Sequence, residues 1–239
     1  MLSDSAVGIA NRHWASEFGI DPEGMFAEEL MLVRHAEALA DYDGIFALFR
    51  EGRVMVSLPG DRFEALQRRL PEWSPALDPR AWAGYFRDAG FRVIGPAYIG
   101  YAGAVPEMEG VRNLSEADLA AVERLRLACD PEEWDHGGSE AGEVPCSAAF
   151  AEDGEIAALA GYEIWSEEIA HISIVAHPGY RGRGYGRAAV AHLAARALRA
   201  GLLPQYRTLE ANAPSVAIAR ALGFERYGCS VAVRLAGGG

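Results

Sequence analysis

The chain has 239 residues, of which 50% are hydrophobic and 23% are charged, so we expect a globular protein with room for two small domains. Its formal net charge of −12 argues against a protein that binds nucleic acid or an anionic membrane. No apolar run reaches the ~18 to 20 residues of a membrane helix, and the N-terminal segment lacks the basic start and apolar core of a secretory signal.

The numbers of cysteine and lysine residues exclude further classes of site. The three cysteines (Cys129, Cys146 and Cys229) are widely spaced, which predicts reduced thiols in a cytoplasmic protein rather than disulfides or a zinc site. No metal site is expected. All 22 basic residues are arginine, a pattern typical of codon bias. Because a Walker-type phosphate loop requires lysine, that class of nucleotide site is excluded.

The first hundred residues predict a mixed α/β unit without a catalytic motif. Gly52 is expected in a hairpin turn, and Asp61 as the cap of the helix that follows. Residues 104–110 have the composition of a linker, so we expect an N-terminal domain at 1–103 and a second domain at 111–236. The elements predicted here are helices at 5–19, 61–70 and 78–90, a hairpin at 44–59, and one or two strands within 91–103.

The second domain is predicted to start with a helix that Ser115 caps, with Asp118 three residues later as in a capping box. A polar, glycine-rich loop is expected at 131–145, and a hairpin with "EDGE" as its turn follows it. The elements predicted here are helices at 114–129, 184–200 and 213–222, a hairpin at 146–165, and strands at 169–178, 205–211 and 224–235.

The stretch "HPGYRGRGYGRAAV", residues 177–190, joins a predicted strand to a predicted helix. A glycine loop in this position presents free backbone N–H groups and the positive end of a helix dipole to an anion. Glycine also lets the backbone approach a phosphate closely. Arg181, Arg183 and Arg187 add charge-assisted contacts. The sequence therefore predicts a seat for a phosphorylated ligand.

Other interpretations of this loop are weaker. A dinucleotide fingerprint needs G-x-G-x-x-G, whereas the glycines here are Gly182, Gly184 and Gly186, and Arg187 follows. An arginine–glycine RNA-binding box repeats in disordered sequence, but this copy is single and lies between apolar elements. A turn without a ligand remains an alternative.

Two motifs resemble the GNAT superfamily of N-acetyltransferases. The loop is similar to the family's acyl-CoA pyrophosphate signature, R/Q-x-x-G-x-G/A, which Arg181, Gly184 and Gly186 fill. Downstream, "NAPSVAIARALGF" is similar to the family's second motif, in which an asparagine precedes a helix that ends in Gly-Phe. The resemblance covers about 111–235. It implies an α/β (α+β) fold with a mixed, mostly antiparallel central sheet flanked by helices, here preceded by a smaller α/β N-terminal unit.

The resemblance also implies a cofactor site. The strand Ile172 to Ala176 should splay from its neighbour, and its main chain around Ile174 to Ala176 should pair with the pantetheine arm of acetyl-CoA. A backbone N–H there would polarise the thioester carbonyl. The implied acetyl-CoA contacts are Ile174, Val175, Ala176, Arg181, Gly182, Arg183, Gly184, Tyr185, Gly186, Arg187 and Asn212.

One position departs from the family. A tyrosine often stands five residues before the phenylalanine of Gly-Phe, as the acid for the departing thiolate, and Ala219 occupies that position here. Tyr227 lies three residues past Phe224 and is an alternative acid. Because general acid help is worth ~10² to 10⁴-fold, its loss would slow the reaction rather than abolish it.

The general base is expected to be Glu163 or His171, which flank the turn before the cofactor strand, with His136 as a third candidate. Each also has an ordinary structural interpretation: a solvated strand carboxylate, a satisfied edge histidine and a loop histidine. Trp134 and Trp165 could form walls of a substrate pocket or pack as core and rim aromatics.

Charge is segregated along this domain. Residues 130–170 contain twelve acids and no arginine, whereas residues 171–209 contain six arginines and no acid. The pattern is that of two solvated faces, or of a site with a cationic group on one side and a polyanion on the other.

Two functions follow from these patterns. In the first, the protein acetylates an amine, for which a small cationic amine is a candidate, by direct attack on acetyl-CoA without a covalent enzyme intermediate. In the second, the protein is a non-catalytic sensor or scaffold that binds acyl-CoA. The N-terminal domain could shape the acceptor pocket, form a homodimer or be a decayed copy of the transferase.

Overall fold

The computed structural model describes residues 2–73 and 77–235. It is a mixed α/β fold with mostly antiparallel strands and flanking helices, which confirms the predicted fold class. The chain divides into two compact units that alternate along the sequence. The first unit comprises Met1–Ala6, Gly100–Arg207 and Ala217–Glu225, and the second comprises Val7–Ile99, Thr208–Val216 and Arg226–Gly239.

The first unit contains the predicted glycine loop. Its strands follow the order β5-β6-β7-β8-β9, in which every neighbouring pair is antiparallel except β8 with β9. Helix α7 and strand β9 each extend into the second unit. The elements are α4 (Leu119–Ala128), α5 (Pro131–Gly137), α6 (Tyr185–Arg199), α7 (Ala213–Ala221), β5 (Val111–Asn113), β6 (Cys146–Phe150), β7 (Ile156–Trp165), β8 (Ile169–Ala176) and β9 (Leu203–Leu209).

Alternation along β8 places its side chains on two different surfaces of the sheet. Val175 packs with Val122 and Leu125 of α4, so this face of the strand lies under α4. On the other face, Ile174 lies close to Gly186 at the start of α6. Helix α6 is rich in alanine, and seven of its residues are buried, which lets it pack closely against the sheet.

The second unit is built around a core of its own. Strands β2 and β3 form the predicted hairpin, β1 pairs parallel with β3, and β10 pairs antiparallel with β2. Helices α2 and α3 contribute Leu70, Trp82 and Phe86 to this core. The elements are α1 (Asp4–Phe18), α2 (Phe63–Trp73), α3 (Pro79–Asp88), β1 (Leu30–Arg34), β2 (Gly44–Arg50), β3 (Arg53–Leu58), β4 (Arg92–Tyr101) and β10 (Glu225–Arg234).

The structure differs from the predictions at residues 131–137 and at Asp61, and it adds one short strand that was not predicted. Residues 131–137 form helix α5 rather than a loop, because Asp130 caps them and Pro131 opens the first turn. Asp61 does not cap α2; it lies inside a short 3-10 turn that precedes the helix. Strand β5 is only three residues long, and the sequence does not distinguish it from a loop.

The predicted linker at 104–110 contains no helix or strand. The boundary between domains at 1–103 and 111–236 stays a prediction, since the compact units alternate along the chain. Within the described residues, no helix combines the length and the apolar character that crossing a membrane requires.

Candidate active site

The parallel pairing of β8 with β9 stops before either strand ends. The register runs from Ile169 opposite Leu203 to Ile172 opposite Tyr206, and it includes no later pair. Strand β8 nevertheless continues to Ala176. We call the space beside residues 173–176, where β9 no longer pairs, the wedge.

Backbone groups alternate along a strand, which decides which of them face the wedge. Leu203 donates its N–H to the carbonyl of Glu168 at 2.8 Å, so even-numbered residues of β8 direct their backbone groups toward β9. Ile174 therefore carries the first N–H of β8 that has no partner in β9 among the described residues. Val175 instead pairs with Leu159 of β7, and its side chain is buried under α4.

The glycine loop, residues 177–184, leads from β8 into α6. Gly182 and Gly184 have φ angles of 75° and 88°, a region that favours glycine. The first helical bond of α6 runs from the N–H of Ala188 to the carbonyl of Gly184 at 3.0 Å. In the described part of the chain, the N–H groups of residues 185–187 have no partner and lie at the positive end of the helix dipole.

Gly186 has a packing role at the same helix terminus. A side-chain carbon at this position would lie 3.3 Å from Cδ1 of Ile218 and 3.9 Å from Cδ1 of Ile174. Glycine therefore lets the first turn of α6 approach both β8 and α7 closely. The glycines of this segment thus have two roles: Gly182 and the signature glycine Gly184 shape the loop, and the signature glycine Gly186 lets the helix pack closely.

The arginines of the loop lie at the surface, and one of them is engaged by an acid. The guanidinium of Arg181 donates to the carbonyl of Ala176 at 3.2 Å and lies 2.6 Å from a carboxylate oxygen of Glu133. Arg183 lies 5.8 Å from the ring centroid of Tyr180, and the hydroxyl of Tyr180 donates to Asp153. Acids of the 130–170 segment therefore flank the glycine loop directly.

Helix α5 ends against the wedge. A side-chain carbon on Gly137 would collide with the carbonyl oxygen of Ile174, so the helix end and β8 are in close contact at this point. Ile174 and Ala176 both direct their carbonyl groups to the wedge side of β8. The oxygen of Ile174 lies against Gly137, and the oxygen of Ala176 accepts from Arg181. The N–H of Ile174 remains the donor that the wedge offers.

Asn212 caps α7. Its side-chain oxygen accepts from the N–H of Ser215 at 3.2 Å, and its carbonyl accepts from the N–H of Val216 at 3.0 Å. These bonds account for an asparagine directly before this helix. Its contact with a cofactor stays a prediction.

The two favoured general-base candidates lie together. Glu163 of β7 and His171 of β8 are register partners, so their side chains share one face of the sheet. The ring of Trp165 stacks on His171 with a centroid distance of 3.7 Å and an interplanar angle of 9°, and its indole N–H donates to Glu163 at 3.2 Å. Glu163 is exposed, and the two rings are half-buried.

Two residues behind His171 were not predicted from the sequence, Gln205 and Tyr101. Nδ1 of His171 lies 2.7 Å from Oε1 of Gln205, and Nε2 of Gln205 donates to the hydroxyl of Tyr101 at 2.7 Å. Gln205 is fully buried. Burial lowers the pKa of His171 to about 4, and the hydrogen bond that the ring donates to Gln205 opposes this shift. Only the parallel register of β8 with β9 reveals that Gln205 lies beside His171.

The remaining candidates lie elsewhere. His136 is exposed on α5, where its ring bonds to the carbonyl of Glu132 at 2.7 Å. Trp134 packs against the core cluster under α4, which fits the structural interpretation of this residue. Ala219 is fully buried. The hydroxyl of Tyr227 donates to Asn11 at 2.8 Å within the second unit, and burial raises the pKa of this phenol to about 12.

None of the three cysteines is activated. All are buried, and burial raises the pKa of each thiol, to about 11 for both Cys146 and Cys229. A thiolate is the nucleophilic form, so these side chains are poor nucleophiles at neutral pH. Among the described residues, no group of three or more histidine, cysteine or acidic side chains is placed to hold a metal ion.

Comparison with solved structures relates this fold to acetyltransferases. An acetyltransferase from the GNAT family of Colwellia psychrerythraea is 12% identical over 98% of this chain and 97% of its own, with a TM-score of 0.53, which shows the fold alone. A GNAT-family protein from Novosphingobium aromaticivorans is 26% identical, with 60% of this chain and 66% of that chain covered and a TM-score of 0.48.

A third structure contains the expected co-substrate. It is a GNAT superfamily phosphinothricin acetyltransferase from Sinorhizobium meliloti in complex with AcCoA, 18% identical over 52% of this chain and 86% of its own, with a TM-score of 0.38. No curated protein is significantly similar in sequence. The sequence model of the acetyltransferase (GNAT) family matches residues 109–224. Residues 109–224 are therefore a domain of the acetyltransferase (GNAT) family.

Proposed function

We propose that the protein transfers an acetyl group from acetyl-CoA to an amine by direct attack of the amine on the thioester. The observation that carries this proposal is that unpaired backbone donors of the wedge and of the α6 terminus lie at one end of β8, while Glu163 and His171 lie farther back along the same strand pair. In this arrangement, the backbone N–H groups can bind the diphosphate of acetyl-CoA, and Glu163 or His171 can accept a proton from the amine.

The start of α6 suits the diphosphate of coenzyme A. The N–H groups of residues 185–187 would bind phosphate oxygens, and the left-handed turns at Gly182 and Gly184 keep side chains away from them. Arg183 and Arg187 are exposed and add positive charge. Arg181 would contribute its charge once it leaves Glu133.

The wedge suits the pantetheine arm and the thioester. The N–H of Ile174 would donate to the thioester carbonyl, where negative charge develops as the amine attacks. Ala176 offers a carbonyl to the arm if Arg181 turns toward the diphosphate. Gly137 packs beside the same strand and would border the arm on the α5 side.

Direct attack agrees with the burial of all three cysteines, none of which is an activated nucleophile. A covalent acetyl-enzyme would need an activated nucleophile, and the three thiols are buried with raised pKa values. In the direct reaction, Glu163 or His171 takes a proton from the amine, the new N–C bond forms, and the C–S bond breaks.

The surroundings of the base favour a cationic acceptor. Glu163 is exposed beside the ring of Trp165, and Glu167 lies in the turn that joins β7 to β8. A carboxylate beside an aromatic face attracts an ammonium group and holds its carbon skeleton. We therefore propose a small amine that carries positive charge at neutral pH.

A second candidate is an acyl-CoA-binding protein without turnover. Ala219 has no hydroxyl at the position of the family's acid, and the hydroxyl of Tyr227 is engaged by Asn11. Such a protein would keep the diphosphate-binding N–H groups at the start of α6 but would have no acid to protonate the departing thiolate.

Release of coenzyme A thiol from acetyl-CoA, measured against a panel of mono-, di- and polyamines with mass detection of the acetylated product, tests the proposal. We expect turnover that is saturable in one amine class and lost in Glu163→Gln or His171→Gln. Binding of coenzyme A without turnover by any amine would favour the second candidate and overturn the first.

A further inference from the structure

The hydrogen bonds around His171 define which ring nitrogen carries a proton. Gln205 is fully buried between His171 and Tyr101, with 2.7 Å contacts on both sides. Its amide nitrogen donates to the hydroxyl of Tyr101, so its oxygen is the atom directed at His171. An amide oxygen only accepts hydrogen bonds, and Nδ1 of the imidazole must therefore be the donor.

This arrangement leaves the other ring nitrogen as an acceptor. A neutral imidazole that is protonated on Nδ1 carries its lone pair on Nε2. Stacking of Trp165 on the ring face restrains rotation of the imidazole, so the direction of Nε2 is fixed as well. Gln205 is the β9 residue that bonds to the ring, so without it no hydrogen bond from β9 would fix the tautomer or the ring plane.

We infer that Gln205 is a positioning residue that holds His171 with its proton on Nδ1 and makes Nε2 the acceptor of the proton from the attacking amine. This inference rests on the proposed function and names the base within it. As the amine nitrogen bonds to the acetyl carbon and the C–S bond breaks, its proton moves to Nε2. The coenzyme leaves as a thiolate, and the imidazolium then returns this proton to the thiolate or to water.

Charged groups from both neighbouring strands act on the ring. Glu163 on β7 favours the imidazolium, whereas Arg207 on β9 disfavours it, as does burial. The ring is therefore neutral at physiological pH and available as an acceptor. Tyr101 acts one step farther out, because its hydroxyl accepts the hydrogen bond that the Gln205 amide donates.

The test reads the tautomer directly in the free protein, by ¹⁵N-resolved NMR of the histidine side chains at pH 7, with His171→Gln identifying the signal. We expect His171 to be protonated on Nδ1 in the unaltered protein and to shift toward the Nε2-protonated form in Gln205→Leu. Tyr101→Phe should shift it in the same direction but less. Protonation on Nε2 in the unaltered protein, or an unchanged tautomer in both variants, would overturn the inference.

Gln205→Glu provides a matched variant that keeps the acceptor oxygen. The carboxylate should retain the Nδ1-protonated form and raise the pKa of the ring, so the acidic limb of kcat/KM moves to higher pH. In amine turnover, Gln205→Leu should lower kcat by about 10²-fold with KM for acetyl-CoA within twofold, and Gln205→Glu should restore kcat above the acidic limb.

The two readouts separate this inference from the proposed function. The expected tautomer with no turnover by any amine would overturn the proposed function and the assignment of Nε2 as base. Turnover that Gln205→Leu leaves unchanged, with the tautomer altered, would overturn the positioning role alone.

Discussion

Ile172 and Tyr206 form the last pair between β8 and β9, and Ile174, two residues later on the same side of β8, has a backbone N–H without a partner in β9. A strand that continues after its neighbour has stopped pairing leaves donors that a ligand can use. The glycine loop begins directly after this stretch, and its helix adds three more unpaired N–H groups. The proposed ligand site is therefore continuous from the wedge to the first turn of α6.

Gly184→Asp should weaken coenzyme A binding by at least about tenfold. The added carboxylate repels the diphosphate at the point where α6 begins, and tenfold corresponds to about 1.4 kcal/mol. Gly184 has a φ of 88°, so the substitution also strains the backbone. Affinity is measured by calorimetry and stability by chemical unfolding.

Gly201→Asp is the matched control, since Gly201 follows the other end of α6 with a φ of 79° and similarly open surroundings. It should lower the free energy of unfolding by about 1 to 2 kcal/mol, at least as much as Gly184→Asp because a carboxylate is disfavoured at the helix C-terminus, and leave affinity unchanged. Equal affinities of the two variants for coenzyme A would contradict the placement of the diphosphate.

Glu133→Gln should strengthen coenzyme A binding. Its carboxylate holds Arg181 at 2.6 Å, and both side chains are about half exposed, at 48% and 46%. An exposed pair of this kind is worth up to about 1 kcal/mol, so affinity should rise by up to about fivefold. Calorimetry at low ionic strength measures the change.

Glu132→Gln removes the same charge from the same helix without a loop arginine as partner. It therefore controls for the general effect of one fewer negative charge. If Glu132→Gln strengthened binding as much as Glu133→Gln, the competition between Glu133 and the diphosphate for Arg181 would be refuted.

Stability should depend on the protonation of His171. Burial lowers its pKa in the fold to about 4, below the ordinary value of 6.5, so the folded state favours the neutral ring. The resulting stabilisation is fully present above pH 6.5 and is lost as the pH falls toward 4. The loss is at most about 3 kcal/mol, since one pKa unit corresponds to about 1.4 kcal/mol.

The measurement is the free energy of unfolding of the protein and of His171→Gln at pH 7 and at pH 4. The difference between the two proteins should change on acidification, with the unaltered protein losing more stability than the variant. An equal loss in both would show that the ring is not held neutral by the fold.

Ala219→Tyr should destabilise the fold rather than restore an acid. Ala219 is fully buried in α7, and a phenol ring at this position would force neighbouring side chains apart. Overpacking of this kind costs about 1 to 3 kcal/mol. Thermal unfolding measures the cost, with Ala217→Tyr on the same helix as a comparison. A variant of unchanged stability and faster turnover would instead show that the position can accept the family's tyrosine.

The sequence predicts the local elements of the site well because their signals are local. Gly182 and Gly184 lie in left-handed turns, and Pro178 follows the end of β8, as the glycine and proline pattern indicates. The capping box at Ser115 is likewise present, since Asp118 accepts from the N–H of Ser115 at 2.9 Å.

The missed features depend on contacts between segments that are distant in sequence. Gln205 reaches His171 only because β8 and β9 pair in parallel with those residues opposite each other. Glu133 meets Arg181 because residues 131–137 form a helix rather than the expected loop. In that segment, the polar composition suggested a loop, whereas the Asp-Pro start indicates a capped helix.

Isothermal titration of the folded protein with coenzyme A tests the central claim most directly. We expect saturable binding of one molecule per chain, weakened by added salt because the diphosphate is held by charge, and reduced by Gly184→Asp but not by Gly201→Asp. Absence of binding by protein that unfolds cooperatively would contradict it, and the proposed transfer reaction would fall with it.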